Sequence, residues 1–167
     1  MMKKRILSML CSIVMLCTMF AGVANAQEVD SDVKIVDGSY LTEEDTSTGT
    51  STPKGARGEY LATGDCTISK AGLTRIYAYA STTANQVVNY LQTIVYVEQY
   101  DEEADAWGQV YFWIAEDFDD YYMSTDAAVV VEPGYYYRVH AIHIAGDQYP
   151  YDETVSFTNG IFVPPLP

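Results

Sequence analysis

From Glu59 onward the chain is written in short runs in which apolar and polar residues alternate, bounded by Gly, Asp, Asn and Pro. Side chains of a β-strand point alternately to opposite faces, so this period of two predicts strands with one buried face. Seven are expected: Leu61 to Ser69, Thr74 to Ser81, Val88 to Tyr100, Gln109 to Ala115, Ala127 to Glu132, Tyr135 to Ala145 and Thr154 to Val163. A break of the last at Asn159-Gly160 is an alternative. About 105 residues in this style suit a single antiparallel β-sandwich of about seven strands, placed at residues 59–164.

In the Tyr135 strand, Tyr135, Tyr137, Val139, Ala141 and His143 share one face, and Tyr136, Arg138, His140 and Ile142 the other. The first set is the more apolar and is expected in the core, with Tyr136 and Arg138 exposed. Glu132-Pro133-Gly134 reads as a turn, and E-P-G-x-x-Y-R-V-x-A resembles the turn and following strand of fibronectin type III domains. That resemblance implies an immunoglobulin-like or fibronectin type III-like sandwich in which Tyr137 closes a structural corner. It also implies that the Val88 and Tyr135 strands are neighbours in one sheet.

With Leu91, Thr93, Val95 and Val97 inward, Ile94 and Tyr96 face out. Val110, Phe112 and Ile114 inward would turn Tyr111 and Trp113 outward, and the opposite assignment is nearly as apolar. The candidate binding surface is therefore Ile94, Tyr96, Tyr136, Arg138, His140 and Ile142, flanked by Tyr111 and Trp113. An aromatic platform with one arginine suits stacking on sugar rings or packing against a protein. The alternative is that cross-strand aromatic pairs only stabilise the sheet.

A wider pattern covers nearly the whole sandwich: Gly64, Cys66 and Ile68; Leu91, Thr93, Val95 and Val97; Trp107-Gly108; Gly134 to Val139 with His143; and Thr158 to Val163. It resembles a family of small exported proteins from Gram-positive anaerobes, catalogued only as a domain of unknown function. The resemblance implies export and no activity.

The first 26 residues, MMKKRILSMLCSIVMLCTMFAGVANA, place Lys3, Lys4 and Arg5 before an apolar run and end in Ala24-Asn25-Ala26. This is the pattern of a secretory signal peptide cleaved after Ala26, with a run too short for a membrane span. Residues 27–58 are rich in Ser, Thr, Gly and acid, and are expected to form a disordered leader, with a short strand over Val33 to Val36 as the alternative. The mature chain is expected to be secreted, without membrane insertion, as a monomer or weak dimer.

Three of the nine Lys and Arg residues precede residue 27 and none of the 23 Asp and Glu does, which leaves the remainder at a formal −17. Nucleic acid and anionic lipid, which demand basic patches, are excluded as partners. Cys66 is the one cysteine outside the signal and, sharing a face with Ile68, is expected to be buried.

His140 and His143 cannot share a metal, because an offset of three in a strand turns them to opposite faces. His143 is expected to end the core face and bond a neighbour, Glu153 being the candidate. The acid-rich loop Asp117, Asp119 and Asp120 offers oxygen ligands of the kind calcium takes, making calcium the one cofactor the sequence admits. There is no Ser/His/Asp spacing, phosphate loop or cofactor fingerprint, so an enzyme is not expected. The reading is an exported module binding an extracellular glycan or protein through the aromatic face. The rivals are a small hydrolase or metal-dependent enzyme using loop carboxylates, and a self-associating surface protein.

Overall fold

The strands expected between residues 61 and 163 form, and three more precede them. The computed structural model describes residues 34–53 and 59–167. The expected signal peptide, and residues 27–33 and 54–58 of the expected leader, lie outside the described residues. Among the described residues run eleven strands: β1 (Ile35–Val36), β2 (Ser39–Thr42), β3 (Thr46–Ser51), β4 (Leu61–Lys70), β5 (Arg75–Val88), β6 (Tyr90–Asp101), β7 (Ala106–Asp117), β8 (Asp120–Val130), β9 (Tyr135–Gly146), β10 (Asp152–Phe157) and β11 (Gly160–Val163). They make two sheets that pack as a β-sandwich. The larger has the order β1-β2-β11-β9-β6-β7 with β10 also on β9, and the smaller the order β3-β4-β5-β8. β6 and β9 are neighbours, as expected, and β2 with β11 is the parallel pair.

The leader is corrected by β1, β2 and β3, which place residues 35–51 in the sandwich. Their apolar content is low because they are held by backbone and hydroxyl bonds. β3 pairs with β4 along its length, from Thr46 opposite Ser69 to Ser51 opposite Gly64. Its inward positions are Ser47, Gly49 and Ser51, and a Cβ at Gly49 would stand 1.8 Å from the Phe157 carbonyl oxygen. Close approach of another backbone, not hydrophobic burial, selects these residues. β2 is fixed likewise, with Ser39 Oγ donating to the Thr158 carbonyl at 2.8 Å and the Tyr40 N–H to Asn159 Oδ1 at 3.1 Å.

The break near Asn159-Gly160 is real: β10 pairs with the far half of β9 and β11 with its near half. β5 runs seven residues beyond its expected end at Ser81, because its register shifts between Thr83 and Val88 and hides the alternation.

Two apolar clusters fill the sandwich. The larger holds Ile68, Ile76, Val95, Val97, Tyr137 and Val139, and the smaller Leu61, Val88, Leu91 and Met123. Between them lies a polar layer. His143 is wholly buried; its Nδ1 is 3.0 Å from Thr82 Oγ1 and its Nε2 2.7 Å from Ser156 Oγ. Thr82 Oγ1 is also 2.6 Å from Thr93 Oγ1. Ser156 and Thr82, not Glu153, are therefore the histidine's partners; Glu153 sits opposite Ile144 and faces outward. Gly64 makes room for the ring, since a Cβ there would come within 2.1 Å of His143 Cδ2. Burial pushes the imidazole down to about 4, so the ring is neutral.

Candidate binding face

The outer face of the larger sheet carries two registered rows of apolar side chains. Phe112 on β7 lies opposite Tyr96 on β6, Tyr96 opposite His140 on β9, and His140 opposite Phe157 on β10. One step along, Ile114, Ile94, Ile142 and Val155 repeat the arrangement. The four rings stack face to face: Phe112 to Tyr96 at 6.1 Å between centroids, Tyr96 to His140 at 5.1 Å and His140 to Phe157 at 4.5 Å, with interplanar angles of 20°, 27° and 17°. The last two spacings match the separation of neighbouring strands, so the rings stand upright on the sheet with their edges outward. Phe112, Ile114 and Phe157 are 52%, 53% and 39% exposed. The outer face of the smaller sheet is built differently, with Thr48 opposite Thr67 and Thr50 opposite Asp65, and with Tyr79 and Tyr122 joined through their hydroxyls at 2.8 Å.

Ile94, Tyr96 and His140 are thus where the sequence places them. Tyr136 is on the same face but further along, its ring 4.9 Å from Phe162 and its hydroxyl donating to Glu43 at 3.1 Å. Tyr111 and Trp113 are corrected. They point to the inner side, where Trp113 Nε1 donates to Thr125 Oγ1 of β8 at 2.8 Å and the two rings touch at 5.9 Å. Phe112 and Ile114 take their place outside. A residue skipped in the pairing explains the difficulty: Val97 faces Tyr111 and Glu98 faces Gln109, leaving Val110 as a bulge that reverses the alternation along β7.

Arg138 is the second correction, for it is 2% exposed and not a surface residue. The β1–β2 turn folds over it. Its Nε donates to Glu98 Oε2 at 2.7 Å, Nη2 to Asp37 Oδ2 at 3.0 Å, and Nη1 to Ser39 Oγ at 3.0 Å and the Asp37 carbonyl at 3.2 Å. The guanidinium also lies 4.5 Å from the Trp107 ring and 4.9 Å from that of Phe157. Burial alone would raise the Glu98 carboxyl, but hydrogen bonds from His140 and Arg138 hold it below the usual carboxylate range. The residues that cover Arg138 belong to the stretch read as leader, so one misreading produced the other. Trp107 is fixed in turn by Nε1 donating to the Val36 carbonyl at 3.0 Å. Lys34 completes the cover, donating to Tyr100 Oη and pairing with Asp105 at 2.9 Å.

Beyond this cover, a cleft of about 700 Å³ opens between the β6–β7 loop and the β8–β9 turn, with Asp101, Glu102, Glu103, Tyr135 and Tyr136 in its lining. Asp101 Oδ1 is engaged by the N–H groups of Glu103 and Ala104 at 2.9 and 3.1 Å. At the loop read as a calcium candidate, Asp117 accepts from the Phe118 N–H at 2.8 Å and Asp120 from the Tyr121 N–H at 2.6 Å, while Asp119 takes a left-handed backbone. Among the described residues no three His, Cys, Asp or Glu side chains are grouped so as to hold a metal ion.

Comparison of the chain with protein-family models, with curated proteins and with solved structures gives no match.

Proposed function

We propose that this protein is an exported, non-enzymatic interaction module that docks a protein partner on the outer face of its larger sheet. The observation that carries the reading is the pair of registered rows, each four side chains wide, left open on a sheet whose interior is already filled. A contiguous exposed apolar patch rimmed by polar groups is the usual mark of a protein-binding surface. Here the rim is Glu98 at one end, and Glu116 and Glu153 at the other. A protein is favoured over a glycan because a sugar stacks on an open ring face, and these rings spend their faces on one another, presenting edges and methyl groups instead. Export is supported by the signal-like residues 1–26. A non-enzymatic role fits the buried, fully bonded state of His143, which keeps the His/Ser pair of the core away from any substrate.

The test compares the domain with Ile94→Lys, a substitution at the centre of the face whose long stem can still lie along the sheet. Both proteins are immobilised and presented with a glycan array and with the fractionated extracellular proteins of the native source. A protein ligand retained by the parent and lost by the variant, at unchanged circular dichroism, supports the reading. A glycan bound equally by both, or a protein retained equally by both, overturns it.

A further inference from the structure

We infer that the free edge of β7 pairs with the same edge of a second copy, antiparallel, about a two-fold axis at Trp113. Among the described residues β7 closes the larger sheet and pairs with β6 alone, so its other side presents unpaired backbone groups over a twelve-residue strand. Edge strands are ordinarily protected by Lys, Pro or inward charges. β7, AWGQVYFWIAED, has no Lys, Arg or Pro, and Val110, Tyr111, Phe112 and Ile114 along it are each about half exposed.

Its own features fix the register. The bulge at Val110 ends regular pairing on one side, and Glu116 and Asp117 bring charge on the other. The stretch free of both is Tyr111 to Ala115, whose midpoint is Trp113. A two-fold axis there sets Phe112 opposite Ile114 of the second copy, and Ile114 opposite its Phe112. The ring row of each copy then runs straight into the aliphatic row of the other, doubling the apolar face. Glu116 and Asp117 meet Val110 and Gln109, so no like charges face each other. Shifting the axis to Ile114 would set Glu116 against Phe112 and Asp117 against Tyr111. This match of the edge to itself argues for a second copy over an unrelated strand, and isologous two-fold pairing is the closed form such an edge takes.

The test is sedimentation of the domain alone, over a concentration series, so its outcome does not depend on the docking reading. The parent is expected to shift toward twice the chain mass as concentration rises. Phe112→Lys with Ile114→Lys puts lysine against lysine in the proposed register and should remain at the mass of one chain. Phe112→Lys with Ile114→Glu puts lysine against glutamate and should restore the doubled mass. A parent that stays at the mass of one chain throughout, or two double variants that behave alike, overturns the proposal.

Discussion

The Tyr137 hydroxyl donates to the Glu132 carbonyl at 2.7 Å, tying the start of β9 to the turn that precedes it. The ring is 1% exposed, and burial pushes its phenol up to about 12. Tyr137→Phe keeps the packing and removes one part-buried hydrogen bond, so it should cost about 1 kcal/mol. Tyr137→Ala also opens a cavity and should cost on the order of 3 to 5 kcal/mol. Urea denaturation of both variants checks the order, and a Tyr137→Phe variant as stable as the parent would show that the hydroxyl bond contributes little.

Arg138→Ala strips the cation from a carboxylate that is itself mostly buried. The expected loss is on the order of 3 kcal/mol or more, because Glu98 is left with the longer contact to His140 at 3.5 Å. Arg138→Lys should recover only part of it, since an ammonium cannot reach Glu98, Asp37 and Ser39 together while lying against the rings of Trp107 and Phe157. Melting curves of the two variants decide the matter; a tolerated Arg138→Ala would mean the β1–β2 cover is loose.

His143 makes stability depend on pH. Its folded value, about 4, lies below the ordinary imidazole value of 6.5 because burial disfavours the cation. Between these values the unfolded chain takes up a proton that the folded chain refuses. The stability present above pH 6.5 therefore declines as pH falls toward 4, by an amount on the order of 3 kcal/mol. Glu98, whose value is lowered, adds a further loss at more acidic pH, as the medium falls through its folded value. In His143→Gln the decline between pH 6.5 and 4.5 should flatten while the more acidic loss remains. Urea midpoints across the pH series measure both.

Cys66 should resist thiol reagents in the native state and react once unfolded. It is wholly buried, and burial pushes its thiol up to about 11, so almost no thiolate is present at neutral pH. Absorbance-detected labelling with and without denaturant reads this directly, and rapid native labelling would contradict the packing around it.

The sequence made the sandwich legible wherever strands bury hydrophobic side chains. β4, β6 and β9 alternate cleanly because one face of each meets the core, and the position of Tyr137 followed from that alone. It was silent where strands are held by other means. β3 buries Ser47 and brings half-buried Gly49 against the backbone of Phe157, which leaves no hydrophobic trace. The face of β7 could not be assigned because both sides are apolar and the bulge at Val110 reverses them midway. Arg138 looked exposed because the residues that cover it, Asp37 and Ser39, are a hundred positions away and polar. Phe157 and Val155 were missed as members of the candidate face for want of a register between β9 and β10, which only the fold supplies.

The polar layer of the interior has a consequence for how the two sheets align. Hydrophobic clusters lie on either side of it, and apolar surfaces alone would tolerate sliding one sheet along the other. Thr82 prevents this. It stands on the smaller sheet and bonds both Thr93 and His143 of the larger one, so a shift by a single residue pair would strand three polar groups in a dry interior. The layer acts as a detent that gives the sandwich one resting position, while the rows outside are held in line by the strand pairing of the larger sheet itself.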